Sequence, residues 1–174
     1  VNFSPASSSL DAQLASFIRG EDVNDEKLGN ATTRPSIHGD VIHSRPLPVN
    51  YGGTNGVTVF YGANDGTFRA LNAETGVERW GFVAPEFFPR LSRLKSNSPL
   101  VAYPNLPKDT SPAPIRKDYF FDGSTGVYQT GDSKKVWIFP TMRRGGRMIY
   151  ALDVSTVGTP VFKWKAGCPN LTND

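Results

Sequence analysis

The stretch from Val57 to Trp80 constrains this chain more than any other. Val57 to Tyr61 is β-branched and aromatic, which suits a pleated, largely buried strand. Asn64-Asp65-Gly66 supplies residues that tolerate positive φ, so the chain can reverse into Thr67 to Asn72. Glu74-Thr75-Gly76 makes a second reversal, and Val77 to Phe82 reads as a third strand. Three short antiparallel strands joined by tight turns form the core of a propeller blade.

The unit recurs. Ala70-Leu71-Asn72 returns as Ala151-Leu152-Asp153, and Trp80 as Trp164. Val59-Phe60-Tyr61 matches Trp137-Ile138-Phe139. Tyr119-Phe120-Phe121 reads as strand, followed by the turn Asp122 to Gly126. Lys135 to Phe139, Arg147 to Val154 and Val161 to Lys165 supply three more strands. Such a unit buries its apolar faces only against a neighbour, and two units cannot close a ring that needs about four or more. The expectation is a mainly β, modified β-propeller of antiparallel meander blades, incomplete in this chain. Its remaining blades would lie downstream or come from another chain. Residues 37–174 would hold the first blades, and a Pro-rich insertion at about 84–118 would separate the two copies. Within that insertion Pro85 to Lys95 reads as a short helix, with Phe88, Leu91 and Leu94 turned inward. Residues 1–36 form a lead-in: a helix capped by Ser9, carrying Leu10, Leu14, Phe17 and Ile18 and ended by Gly20, then an acidic loop.

Composition narrows the class further. With 17 Gly and 14 Pro the chain suits a turn-rich β protein, and 38% hydrophobic residues supply a core. The uninterrupted apolar runs are too short to span a bilayer. The formal charge of +3 is mild and points to no nucleic-acid partner by itself. The sequence starts at Val1 with no signal peptide, as a mature or excised fragment would. The single cysteine, Cys168, has no internal disulfide partner; it reads either as an unpaired small residue or as one half of a bond to a cysteine beyond Asp174.

Three clusters carry candidate chemistry. Asp22, Asn24 and Glu26 are spaced like the first three ligands of a calcium loop, but Lys27 stands where the sharp-turn glycine belongs and no glutamate closes the loop. His38 and His43 flank Asp40, which invites a zinc or triad reading. Two histidines with one distant cysteine fall short of a zinc set, and Ser44 on a strand would point away from its neighbour His43. Within Ser36 to Val49, Val41-Ile42 is strand-like and the two prolines suggest an edge strand or an extended entry segment, with local hydrogen bonding between His43 and Asp40 expected at the start of the blade. Arg143, Arg144 and Arg147, with Lys134 and Lys135 nearby, form a candidate basic patch for acidic ligands.

Five segments in order along the chain, Ile18 to Asp22, Gly39 to Pro46, Tyr61 to Asn72, Asp118 to Ser124 and Gly145 to Val154, resemble PilC/PilY-type factors of type IV pili, the last four their C-terminal propeller and the first a stretch upstream of it. Ile18-Arg19-Gly20-Glu21-Asp22 is similar to that family's helix-end "RGDD". Gly39-Asp40-Val41-Ile42-His43-Ser44-Arg45-Pro46 resembles its "GDxxHSxP" signature. Tyr61 to Asn72 resembles its "VGANDGMLHAFD" strand pair, Asp118 to Ser124 its "YYVDGSP", and Gly145 to Val154 its "GGRGYYALDVT". Asn72, Thr125 and the Pro-rich insertion depart from that pattern. The resemblance implies a secreted, non-enzymatic assembly factor and tip adhesin, at the pilus tip, cell surface or outer membrane of a Gram-negative bacterium. It implies minor pilins and host or abiotic surfaces as partners, and roles in attachment and in control of pilus extension and retraction, hence twitching motility. It also implies calcium for the full-length family, held by an Asp-rich loop that no stretch here matches, so its ligands would lie beyond Asp174. Two other readings compete. Asn72 to Trp80 also resembles the tryptophan-docking repeat of quinoprotein dehydrogenases, and a generic propeller module for acidic ligands would need only the basic patch.

Overall fold

The computed structural model describes residues 10–27, 29, 32–106 and 109–168. The apolar and aromatic runs pair into two four-stranded antiparallel sheets. Sheet I contains β1 (Leu47–Asn50), β2 (Val57–Gly62), β3 (Thr67–Asn72) and β4 (Glu78–Val83). Sheet II contains β5 (Gly126–Gln129), β6 (Val136–Phe139), β7 (Arg147–Asp153) and β8 (Val161–Cys168). Spatial order follows chain order in both, so each is a meander, and the pair is an incomplete propeller-like β fold.

The first strand of each sheet differs from the residues that the sequence reading called strand-like. In sheet I it is β1, where Pro48 is tolerated because an edge strand leaves one side of its backbone unpaired, whereas Val41-Ile42 is exposed and irregular. In sheet II it is β5, not Tyr119-Phe120-Phe121. Phe120 and Phe121 lie in an irregular, fully buried stretch, where the Phe120 N–H donates to the Asn64 side chain rather than to a ladder. Burial between the sheets outweighs their strand propensity. The ring of Phe121 meets those of Phe68 at 5.6 Å, Phe82 at 5.7 Å and Phe87 at 4.9 Å, and Phe82 meets Tyr150 of sheet II at 5.1 Å. Gly62 is required where this plug crosses β2: a Cβ there would collide with the Phe121 carbonyl oxygen.

Register corrects one sequence match. Phe60 pairs with Ala70, and Ile138 pairs with Leu152, so Thr58-Val59-Phe60 corresponds to Trp137-Ile138-Phe139. The match drawn on Val59-Phe60-Tyr61 was one residue out, and such a slip exchanges the two faces of the strand. The repeat of Ala70-Leu71 in Ala151-Leu152 holds, down to a bulge between the same two residues in each sheet. Trp80 and Trp164 occupy equivalent positions opposite those alanines.

Helices flank sheet I. α1 (Ala12–Ile18) buries Leu14 and Phe17, and Asp11 caps it by accepting from the Leu14 N–H at 2.8 Å; Ser9 lies outside the described residues. A 3-10 turn, Pro85–Phe87, leads into α2 (Phe88–Ser96). Phe87 and Leu91 are fully buried, and Phe88, which the sequence reading turned inward, is half-buried.

Glu86 on that 3-10 turn ties the two sheets together. Its carboxylate accepts from the Tyr150 hydroxyl and from the Lys165 ammonium, both on sheet II. Burial pushes the Glu86 carboxyl up, but those two hydrogen bonds outweigh it and hold the group below its ordinary 4.5. A depressed folded-state value means that the stabilisation is complete above the unfolded value and is lost as pH falls through the folded one. We expect Glu86→Gln to destabilise the chain by about 1.5 kcal/mol near neutral pH and to flatten the acid limb of stability below pH 4.5. Urea melts across pH 3–7 check this, and an unchanged acid limb would count against the tie.

Candidate functional site

The β2–β3 turn organises the site. Asp65 accepts from the Thr67 N–H at 2.9 Å, which closes the turn, and Gly66 supplies the positive φ of 89°. The same carboxylate accepts from the Gly39 N–H at 2.9 Å and pairs with Arg69 at 2.7 Å. Arg69 is buried on the sheet I face turned away from sheet II and also pairs with Glu78 at 3.2 Å. Burial alone would lower its pKa, and the Asp65 and Glu78 carboxylates reverse this, so the guanidinium stays charged inside the fold. Asp65 therefore does more than turn the chain: it pins the strap from Ile37 to Asp40 over sheet I.

Along that strap His38 stacks on Tyr61 at 5.4 Å, and its Nε2 lies 2.6 Å from the Tyr61 hydroxyl. Its Nδ1 faces the Gly39 carbonyl oxygen at 2.7 Å, which requires an N–H there. Asp40 pairs with Lys117 of the insertion and accepts from Asn64. Burial raises its carboxyl and the Lys117 and Asn64 hydrogen bonds lower it further, leaving it below its ordinary value.

Strap, α1, α2 and insertion enclose a cleft of about 280 Å³. Phe17, Ile18, Leu94 and Val101 give it apolar walls, and His38, Asp40, Arg93 and Lys117 give it polar ones. Ile37, Val101, Tyr103 and Ile115 are exposed on the strap and the insertion. Arg93 holds the insertion in place. It donates to the carbonyl oxygens of Pro99, Leu100, Ile115 and Arg116 and to the Asp118 carboxylate, at 2.7–3.2 Å. One planar guanidinium thus gathers both ends of a loop whose described residues otherwise meet through a single Val101–Ile115 bridge. We expect Arg93→Ala to cost about 2 kcal/mol locally and to speed amide exchange in residues 99–116 while β2, β3 and β7 keep their protection. Hydrogen-exchange mass spectrometry reads this directly.

His43 corrects the expectation of a local bond to Asp40. Its Nδ1 lies 2.8 Å from Oδ2 of Asp122, which belongs to the buried stretch ahead of β5. Asp122 is 1% exposed, Arg143 approaches the same oxygen at 3.8 Å, and Oδ1 is enclosed without a hydrogen-bond partner. Ser44 is committed elsewhere, accepting from the buried Gly62 N–H at 2.8 Å. The cluster therefore joins the two units and sets no nucleophile beside His43.

Arg143 and Arg144 lie in the β6–β7 turn and Arg147 begins β7, and Arg144 reaches Tyr119, the residue after Asp118 of the cleft wall. Arg144 stacks over Tyr119 at 4.8 Å and donates to its hydroxyl. Lys134 and Lys135 sit at the opposite end of β6 and do not join them: Lys134 pairs with Asp132, and Lys135 lies over Trp137. A four-residue strand separates the groups by roughly 13 Å.

The acidic loop does not fit a calcium shell. Both Asp22 oxygens accept backbone N–H groups, from Glu26 and Lys27, and Asn24 donates to the Lys95 carbonyl oxygen. Among the described residues no three His, Cys, Asp or Glu side chains gather as a metal cage. Cys168 is exposed at the end of β8. Among the described residues no helix is long and apolar enough to cross a membrane.

Sequence reasoning missed Arg93, Lys117 and Asp118, whose partners lie across the cleft, and it read Asp65 and Asp122 as turn residues only. An Asp-Gly doublet in each case, Asp65-Gly66 in the β2–β3 turn and Asp122-Gly123 ahead of β5, was the available signal for the last two.

No protein-family model matches the chain. No solved structure matches it either. Curated proteins do. The type IV pilus biogenesis factor PilY1 of Pseudomonas aeruginosa (strain UCBPP-PA14) is 27% identical over 88% of this chain and 14% of its own length. A PilY1 homolog of Xylella fastidiosa is 29% identical over 86% of the chain and 13% of its own. The chain thus spans about one seventh of the length of these relatives. Together with the two repeated meanders, these relatives support a PilY1-type assignment for the chain.

Proposed function

We propose that this chain forms part of a type IV pilus biogenesis factor and serves as a non-enzymatic binding scaffold. Similarity to PilY1 proteins along 88% of the chain carries the reading. Two meanders with no assembled nucleophile or metal cage among the described residues suit a scaffold better than a catalyst. On this reading the protein acts at the cell surface or pilus tip, where it contacts minor pilins and promotes attachment. The cleft, the Arg93-held insertion and the arginine corner, neighbours through Asp118 and Tyr119, form the contact face. Calcium enters this reading only through residues outside Val1–Asp174.

The test is genetic. Deleting the gene in its own bacterium is expected to abolish surface pili counted in sheared fractions. A full-length allele lacking residues 99–115 should restore less piliation or attachment than wild type. Full piliation in the deletion strain would sink the pilus reading, and full function of the loopless allele would remove the insertion from it. Neutralising Arg143, Arg144 and Arg147 together should weaken attachment and its salt dependence; unchanged salt-sensitive binding removes the patch.

A further inference from the structure

Three arginines around the strap are nearly dry: the side chain of Arg69 is 6% exposed, and those of Arg34 and Arg93 are 11% exposed. Two of them are fully engaged. Arg69 meets Asp65, Glu78 and the Ile37 carbonyl oxygen. Arg93 directs all its N–H groups to four carbonyl oxygens and Asp118. Arg34 is the exception. Its guanidinium lies over the Phe17 ring, 3.7 Å from the centroid. Oε1 of Glu26 stands 4.0 Å from Nη1, outside hydrogen-bond reach. Nε is enclosed and has no acceptor among the described residues. A buried donor left without an acceptor is costly. A guanidinium already held on a ring gives up little freedom when a carboxylate docks on its planar fork.

Arg34 lines the cleft. The other charges there are matched within the chain: Asp40 with Lys117, Asp65 with Arg69, and Asp118 with Arg93. Both ring nitrogens of His38 are occupied as well. A phosphate would bring close to two negative charges among three aspartates, whereas one guanidinium balances one carboxylate. Ile18, Leu94, Pro99 and Val101 supply apolar wall. At about 280 Å³ the cleft lies just below the range of about 300–1,000 Å³ that holds drug-sized molecules, so it has room for one residue rather than an extended segment. Apolar surface continues outward at the rim. Ile37 and Val101 are 42% and 40% exposed, and Ile115, bridged to Val101, is 47% exposed. A free small acid would leave that rim uncovered.

We infer that the cleft binds the C-terminal residue of a partner polypeptide, one with an apolar side chain. Its free carboxylate accepts from the Arg34 guanidinium, its side chain lies against Ile18, Leu94 and Val101, and the residues before it cross the rim at Val101 and Ile115. The unsatisfied guanidinium inside a cleft whose other charges are already paired carries the inference. It rests on the reading of the cleft as part of the contact face and names the chemistry that face takes. Gene deletion tests the pilus role and the titration below tests the site, so either can fail alone.

The test is calorimetric titration of the natural full-length protein with short peptides ending in leucine, valine or phenylalanine, each as the free acid and as the C-terminal amide, and with N-acetyl-leucine. The best free-acid peptide is expected to bind at least about tenfold tighter than its own amide, the effect of losing one charge-assisted hydrogen-bonded pair. It should also bind tighter than N-acetyl-leucine. Arg34→Met keeps an apolar stem over Phe17 and should bring the free acid down to the affinity of the amide, with the amide unchanged. Equal affinity for acid and amide, or no binding of either, overturns the site. N-acetyl-leucine binding as tightly as the peptide overturns the polypeptide source and makes a free carboxylic acid the ligand. An Arg34→Met protein that keeps the difference between acid and amide overturns the role of Arg34. The acid–amide comparison is made on the unaltered protein, so it decides the question even if the variant fails to fold.

Discussion

Replacing Trp80 by alanine is expected to destabilise the chain by about 4 kcal/mol, whereas Trp164→Ala in the same chain of 174 residues costs about 1 kcal/mol or less. The two tryptophans occupy the same place in the two meanders, so propensity and strand pairing cancel in the comparison. What differs is the neighbour. Trp80 is enclosed by Phe60, Phe68 and the second sheet, and its N–H is satisfied by Val157. Truncation there leaves a cavity at the sheet interface and an orphaned carbonyl. Trp164 already has water on one side. Thermal melts should show Trp80→Ala lowered by roughly 10 °C and Trp164→Ala by no more than a few degrees. Equal losses for the two would mean that sheet II does not bury sheet I as described.

Arg69→Ala is the second large effect, with an expected loss of about 3 kcal/mol. The guanidinium is nearly dry and is held by two carboxylates and the Ile37 carbonyl. Removing it leaves Asp65 partly buried with one charge uncompensated. The strap should loosen with it, because the Gly39 N–H depends on the same carboxylate. Exchange of amides 36–40 is therefore expected to accelerate more than exchange in β6 or β7. The double change Arg69→Met with Asp65→Asn should recover part of the loss, since replacing both partners of a buried pair leaves no bare charge. If the single and double variants are equally unstable, the Arg69–Asp65 pair is not what holds the strap.

These two residues mark how far the sequence can be read. The strands β2, β3, β4, β6, β7 and β8 follow from β-branched and aromatic runs closed by glycine-bearing turns, Asp65-Gly66 and Thr75-Gly76 in sheet I and Gly145-Gly146 and Gly158 in sheet II, and these are local signals. β5 was missed, and β1 was read only as an edge strand or entry segment somewhere in Ser36 to Val49, because their residues are exposed or carry proline, and only pairing with β2 and β6 makes them strands. Phe120 and Phe121 were misread for the opposite reason: strand-like residues were claimed by the inter-sheet core. The site was less legible than the fold. The Asp-Gly turns and the three arginines could be named beforehand. That Arg93 gathers four carbonyls and a carboxylate, or that His43 reaches Asp122 rather than Asp40, depends on segments brought together from far along the chain.

The sequence by itself determined the repeated meander, its turns, its recurring Ala-Leu step and its likeness to PilC/PilY-type factors, because period-two apolar patterning and turn residues act within a few residues of themselves. Only the tertiary structure decided which copy is closed and which is open. Trp80 and Trp164 carry the same local instruction, and burial is a property of what lies opposite. Sheet II lies opposite the first, and the second faces outward.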